Sequence, residues 1–197
     1  RYHPNTLLTN LTSHVINAIP DISGSTKTIN NILVALDDTD DQELNLCVLV
    51  GYSNTNSRTY FLRSSNQGSS FYSMGFLEEF STNYSTHLVK DHSFEKSKID
   101  PNKFYAGSIQ AYMIVDSLGT WSINNNYSDW SSANSVNFMH ADIRRIVVRK
   151  IDNNTEEVYW CHDGGISRRK NTENSFTNIT GVGLNIGNTS GFDVNDF

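Results

Sequence analysis

The chain has 197 residues, a mass of 22.2 kDa and a formal net charge of −6 at pH 7. This length suffices for one domain with a real hydrophobic core, and 37% hydrophobic residues with 11% aromatics exclude a disordered chain. The net acidity argues against non-specific binding of nucleic acid, and no apolar run approaches the ~20 residues needed to cross a bilayer. We therefore expect a single domain over residues 1–197 with no membrane span.

The first predicted element is an amphipathic helix. Asn5 or Thr6 can cap it, apolar residues recur at helical spacing from Leu8 to Ile19, and Pro20 ends it. No apolar stretch follows a basic start ahead of this helix, so nothing reads as a secretory signal, although such a segment could have been removed. The sequence leaves the localisation open.

Three strands are predicted next. Residues 32–36 and 43–52 flank an Asp-rich turn and predict a hairpin, and residues 58–63 follow a second polar turn. In the third segment Tyr60 and Leu62 face opposite to Thr59 and Phe61, and the three segments together predict an antiparallel meander. The chain has two cysteines, Cys47 and Cys161, which are too few for a disulfide framework, and we expect free thiols.

Helices are predicted in the middle of the chain. Apolar residues recur every three to four positions from Phe76 to Leu88. Asp100-Pro101 supplies a cap and a first-turn proline for a helix over residues 104–115. Residues 120–135 are polar and predict a long loop. No internal repeat stands out.

The segment over residues 139–151 concentrates charge, with four cations and one carboxylate around branched apolar residues. If it is helical, Asp142 and Arg145 share one face, within reach of the same small ligand. If it is a strand, Arg145, Val147 and Arg149 share a face instead. A helix over residues 136–145 that leads into a strand, paired with residues 158–160, reconciles the two interpretations. A short strand near residues 182–186 would complete the chain.

Together these elements predict an α+β fold, an antiparallel or mixed β-sheet meander packed with several α-helices. Their order resembles the N-terminal part of the ribosome-inactivating proteins, the rRNA N-glycosidases. Asn83-Tyr84 and Ser108-Ile109 fall at spacings similar to those of that family, and Ala141-Asp142-Ile143-Arg144-Arg145-Ile146 looks like a variant of its S-E-A-x-R-F helix. Length and composition are similar to those of a mushroom member outside the plant family.

The resemblance implies a toxin that removes an adenine from the sarcin–ricin loop of large-subunit rRNA. The protein would act as a monomer on ribosomes in the cytosol of susceptible cells, without a metal or organic cofactor. Such chemistry needs stacking on the flipped base, a proton donor and a carboxylate beside the sugar. Our hypothesis gives the carboxylate role to Asp142 and the donor role to Arg145. The expected substrate-binding residues are tyrosines for stacking and arginines for phosphates: Tyr52, Tyr84, Tyr112, Arg144, Arg168 and Arg169.

The sequence departs from that family at two of these places. Asp142 stands where the family has glutamate, and an apolar residue stands where a tyrosine is expected before Gly51. No motif supports nucleotide hydrolysis, zinc proteolysis or esterase chemistry, and the scattered histidines predict no metal site. The alternative function is a non-enzymatic, lectin-like or pore-forming β-rich defence protein, in which Trp121, Trp130 and the Asn-rich loop form a sugar site.

Overall fold

A computed structural model of the chain describes residues 13–36, 43–77, 93–117, 120–124 and 127–180. The chain divides into two compact units, Arg1–Ser85 and Thr86–Phe197. The described residues form twelve β-strands in three antiparallel sheets of four, and only residues 13–18 among them are α-helical. The fold is nearly all β, so the predicted α+β class with several helices is wrong. The single domain expected from the length stays a prediction.

The first unit holds one sheet whose strands follow chain order: β1 (Lys27–Leu36), β2 (Leu44–Tyr52), β3 (Thr55–Ser64) and β4 (Tyr72–Leu77). Apolar residues of β2 and β3 meet across the sheet, with Val48 opposite Tyr60 and Leu46 opposite Leu62. Such cross-strand pairs fix the register, because a slip by one residue would turn this set to the other face. The predicted meander is confirmed, although β1 and β3 are longer than expected.

A short helix, α1 (residues 13–18), packs on this sheet. Val15 and Ile19 join the core formed by β2 and β3. The ammonium of Lys27 donates to the carbonyls of Ile16 and Ile19, at 2.8 and 2.7 Å, and so satisfies carbonyl groups at the helix end. The rest of the predicted N-terminal helix lies outside the described residues. Of the helix expected from Phe76 onward, residues 76–77 belong to β4 and the remainder lies outside the described residues, as does the strand expected near 182–186.

The second unit contains two more sheets of the same construction. One has strands β5 (Ser93–Lys96), β6 (Lys103–Gly107), β7 (Ala111–Ser117) and β8 (Thr120–Asn124). The other has strands β9 (Arg145–Lys150), β10 (Glu156–His162), β11 (Gly165–Lys170) and β12 (Thr177–Asn178). In each sheet, strands that follow one another in the chain are neighbours. A four-stranded antiparallel meander is also the construction of one propeller blade.

The helix predicted over residues 104–115 is wrong, because this stretch forms β6, a turn and β7. Asp100 opens a β-turn rather than a helix: its carbonyl accepts from the Lys103 amide and its side chain accepts from the Asn102 amide. Four consecutive residues of β6 are buried, so the strand lacks the alternation that distinguishes it from a helix.

The core of the second unit is aromatic. Trp160 of β10 is fully buried and meets Tyr105 of β6 edge-on, with ring centroids 5.9 Å apart. The carboxylate of Glu156, also fully buried, accepts from the hydroxyls of Ser97 and Tyr105 and from the Lys98 amide, at 2.7–2.8 Å. These bonds tie the first strand pair of one sheet to β10 of the other. The two sheets of this unit therefore share one core.

The three sheets share a signature in the hairpin between their third and fourth strands. Each has an Asn or Asp followed five residues later by an aromatic residue, in the pairs Asn66 and Phe71, Asp116 and Trp121, and Asn171 and Phe176. Phe71 and Phe176 pack against the cores of their units, and Trp121 stacks on Phe104 at 5.5 Å. The three sheets therefore share this local packing pattern as well as their strand order.

Candidate binding site

The charged segment singled out in the sequence approaches β9 in an extended, non-helical course. The amides of Asp142, Ile143 and Arg144 donate to the carbonyls of Ile109, Ser108 and Cys161, at 3.1, 2.6 and 2.8 Å. Asp142 has a φ of +65°, in the left-handed region that a regular helix excludes. The helix predicted over residues 136–145 is therefore wrong, whereas the predicted hairpin of β9 with β10 is confirmed.

A buried histidine closes the β10–β11 hairpin beside this segment. His162 is 1% exposed, its Nδ1 accepts from the Gly164 amide at 3.1 Å, and its Nε2 lies 2.9 Å from the Ser167 hydroxyl. Because Nδ1 accepts, the ring proton sits on Nε2, which donates to Ser167. Burial, reinforced by the nearby His140 and opposed by Asp163, lowers the pKa of His162 to about 4. The ring is therefore neutral at pH 7 and does not act as a base toward Ser167.

A second, exposed histidine lies against the first. The rings of His140 and His162 stack with centroids 6.0 Å apart and an angle of 15° between their planes. Nδ1 of His140 lies 3.2 Å from the carbonyl of Ala141. A Cβ added to Gly164 would come within 2.7 Å of the Cβ of His140, so the hairpin backbone passes directly beneath this side chain. The position of His140 thus depends on a glycine.

An ion pair flanks the two histidines. Nε and Nη2 of Arg144 both donate to Oδ1 of Asp163, at 3.0 and 2.8 Å. The two side chains are 24% and 32% exposed, so they lie at the rim of the cluster rather than in the core. A partly exposed pair of this kind adds little stability, but its fork geometry fixes the direction of both side chains.

The connection from β8 to β9 brings a tryptophan to the same region. The Asp129 carbonyl accepts from the amide of Met139, the residue before His140, at 3.2 Å, and the Asp129 amide donates to Asn137. Oδ1 of Asp129 accepts from the amide and the hydroxyl of Ser131, which lowers the pKa of that carboxyl. These bonds order the turn that carries Trp130, whose side chain remains 48% exposed.

The residues expected to form a catalytic site lie on different elements of the chain. Asp142 lies in the segment before β9, and Arg145 is the exposed first residue of β9. Tyr52 is buried in the first unit, where its hydroxyl donates to the Pro20 carbonyl and is hydrogen-bonded to the Tyr60 hydroxyl. Tyr112 is buried in β7 of the second unit. Tyr84 lies outside the described residues.

The arginines expected on phosphates have partners within the protein. Arg144 binds Asp163, and Arg168 of β11 lies 3.0 Å from Glu157 and 3.6 Å from Glu173. The guanidinium of Arg169 lies over the rings of Tyr127 and Phe176, at 4.5 and 5.2 Å, and donates to the Tyr127 carbonyl. These three arginines are therefore engaged within the protein.

Other chemistry finds less support in this part of the chain. Burial raises the pKa of the Cys161 thiol to about 11, against the opposite influence of Arg145, so this thiol is protonated at neutral pH and a poor nucleophile. Among the described residues, no cluster of three or more His, Cys, Asp or Glu side chains could hold a metal ion. Across the same residues, none of the helical structure is long and apolar enough for a membrane crossing.

Sequence reasoning missed the stacked histidine pair. His140 and His162 stand 22 positions apart and belong to no motif. Joining them required the β9–β10 register and the close approach of Gly164, neither of which a single sequence displays. The sequence assigns a role to Trp130 only under the alternative, lectin-like function.

These features define, in the described residues, a nearly all-β fold of three four-stranded sheets with a polar cluster at one hairpin. No family model and no curated protein matches the chain. A solved structure similar to it is that of the Niastella koreensis GH74 enzyme, with a TM-score of 0.50 and 15% sequence identity. The similarity covers 78% of this chain and 22% of that enzyme, so the chain spans about a fifth of its length. At this identity the similarity shows the fold alone.

Proposed function

We propose that this protein is a non-enzymatic carbohydrate-binding module, in which the Trp130 indole stacks on the apolar face of a sugar ring. The observation that supports this proposal is the exposure of Trp130 on an ordered turn. Of the other two tryptophans, Trp160 is fully buried and Trp121 stacks on Phe104. Leaving about half of a tryptophan side chain in water forgoes about 2 kcal/mol of burial, which a ligand ring can recover.

The neighbourhood of Trp130 supplies the polar groups that such a site needs. The exposed His140 follows Met139, whose amide is bonded to Asp129, the residue before Trp130. Asp163 and Arg144 lie beside the two histidines. An exposed aromatic surface with a few fixed hydrogen-bonding groups suits a ligand with one apolar face and a rim of hydroxyls.

The test is a glycan array followed by calorimetric titration of the oligosaccharides that bind. Trp130→Ala should weaken binding at least tenfold, because it removes the stacking surface. The matched control is Val136→Ala, which truncates a 74% exposed side chain in the same connection and should bind as the wild type does. The proposal fails if the wild type binds no glycan, or if Trp130→Ala binds as tightly as the wild type.

The N-glycosidase activity expected from the family resemblance stays a second hypothesis. It draws on Asp142, a partly exposed carboxylate three residues before an exposed arginine, although the helical basis for pairing them is gone. Ribosomes incubated with the protein, followed by aniline treatment of the rRNA, would give one diagnostic fragment if adenine is removed. Asp142→Asn should abolish that fragment. No fragment at high protein concentration would eliminate the hypothesis.

A further inference from the structure

The second contact of the proposed sugar site follows from the hydrogen bond that the His140 ring makes with the backbone. Nδ1 of His140 lies 3.2 Å from the Ala141 carbonyl, and a carbonyl can only accept. Nδ1 therefore donates to this carbonyl, and in the tautomer with its proton on Nδ1 the lone pair is on Nε2. Since the His140 side chain is exposed, this lone pair is a hydrogen-bond acceptor at the protein surface.

The ring that carries this acceptor is held in place. It stacks on the ring of His162, which is itself fixed by the Gly164 amide and the Ser167 hydroxyl. The backbone at Gly164 lies against its Cβ. An acceptor on a ring held in this way binds a donor with less loss of conformational entropy than one on a free side chain.

The charged groups near this acceptor favour a neutral ligand. Asp129, Asp142 and Asp163 contribute three carboxylates along the same stretch of loop and hairpin, whereas Arg144 and Arg145 contribute two guanidiniums. Arg144 is already engaged by Oδ1 of Asp163. These groups leave a local charge of −1, in a protein of net charge −6. A carboxylated sugar is therefore repelled, whereas a sugar hydroxyl can donate to the acceptors.

We infer that the ligand is a neutral glycan, and that one of its hydroxyls donates a hydrogen bond to Nε2 of His140 while a ring of the same glycan stacks on Trp130. This inference rests on the proposed carbohydrate-binding function and adds to it the class of sugar and the second contact residue. His140 is accordingly a specificity-determining residue.

A matched pair of variants isolates the acceptor. His140→Gln places an amide oxygen near the position of Nε2, whereas His140→Asn reaches only the position of Nδ1, and both remove the stacked ring. If the acceptor matters, His140→Asn should bind a neutral tetrasaccharide, such as cellotetraose or mannotetraose, about tenfold more weakly than the wild type. His140→Gln should recover part of that loss. Equal thermal unfolding of the two variants shows that a purely structural effect is not the cause.

Two further measurements use the ligand instead of the protein. Tetragalacturonate, which carries carboxylates, should bind the wild type at least tenfold more weakly than the best neutral tetrasaccharide. Among monodeoxy analogues of the bound sugar, one should lose about tenfold in affinity for the wild type and nothing for His140→Asn, since the hydroxyl and the acceptor form one bond.

The outcomes separate the two proposals. If no glycan binds the wild type, the carbohydrate-binding function fails and this inference fails with it. If neutral glycans bind and Trp130→Ala abolishes binding, but His140→Asn binds as the wild type does, the function stands and the inference is overturned. Equal or tighter binding of tetragalacturonate likewise overturns the inference while leaving the function intact.

Discussion

Protonation of His162 should destabilise the second unit at mildly acidic pH. The ring is buried, its Nδ1 accepts from the Gly164 amide and its Nε2 faces Ser167. A second ring proton would sit on Nδ1 and point at the amide hydrogen of Gly164, so the hairpin cannot keep this bond with a charged ring. Burial and the nearby His140 accordingly lower the pKa of His162 from 6.5 to about 4.

The sign and size of the effect follow from this difference in pKa. Between pH 6.5 and about 4, the unfolded chain binds a proton at His162 that the folded chain does not, so stability falls as the pH is lowered through this window. Above pH 6.5 the ring is neutral in both states, so His162 causes no loss of stability there. Because each pKa unit corresponds to about 1.4 kcal/mol, the total loss of unfolding free energy by pH 4 is about 3 kcal/mol.

Urea unfolding followed by tryptophan fluorescence measures this loss. All three tryptophans belong to the second unit, so their emission reports on the unit that contains His162. The carboxylates also titrate in this range, and the comparison with His162→Gln removes their shared contribution. Between pH 7 and pH 4 the wild type should lose about 3 kcal/mol more than the variant. Equal losses in the two proteins would refute the reasoning.

Substitutions at three positions test the backbone and the buried charge of the second unit, each by urea unfolding at pH 7. Asp142→Gly should stabilise the protein by up to about 1 kcal/mol and Asp142→Ala should destabilise it by about 1 kcal/mol, because φ is +65° there; a reversed order would contradict the conformation. Gly164→Ala should destabilise by about 1–3 kcal/mol, since its Cβ would crowd His140; an unchanged midpoint would show that the hairpin can shift. Glu156→Gln should lose about 2 kcal/mol, because its amide NH₂ would face donors from Ser97, Lys98 or Tyr105; a neutral effect would mean that the carboxylate can be replaced.

The sequence predicted the first sheet well because its signals are local. Apolar runs bounded by polar turns indicate antiparallel hairpins without knowledge of distant residues. The prediction for residues 104–115 failed because its local signals fit a helix as well as a strand. β6 is buried by other parts of the second unit, so its apolar run carries no period, and Asp100-Pro101 fits a turn as well as a helix cap. Burial on both faces is a tertiary property.

The candidate site was harder to predict than the sheets. The spacing of Asp142 from Arg145 predicts a helical pair. The left-handed conformation of Asp142 instead accompanies hydrogen bonds from the Asp142 and Ile143 amides to the carbonyls of Ile109 and Ser108, more than 30 positions earlier. The stack of His140 on His162 likewise depends on the β9–β10 pairing and on a glycine beneath the ring. Residue spacing in one sequence carries no information about these contacts.

The shared construction of the three sheets indicates where a ligand site is expected. The Asn or Asp of each third hairpin recurs at positions 66, 116 and 171, so one sheet occupies 50 to 55 residues, and the aromatic five positions later packs on a core. Repeated elements that serve packing leave specificity to the segments that vary between copies, which in repeat proteins are loops on one face. The connection of residues 125–144, from the end of β8 to the start of β9, is such a segment. It carries both Trp130 and His140, which is why a ligand site is expected there rather than on the arginines of β11.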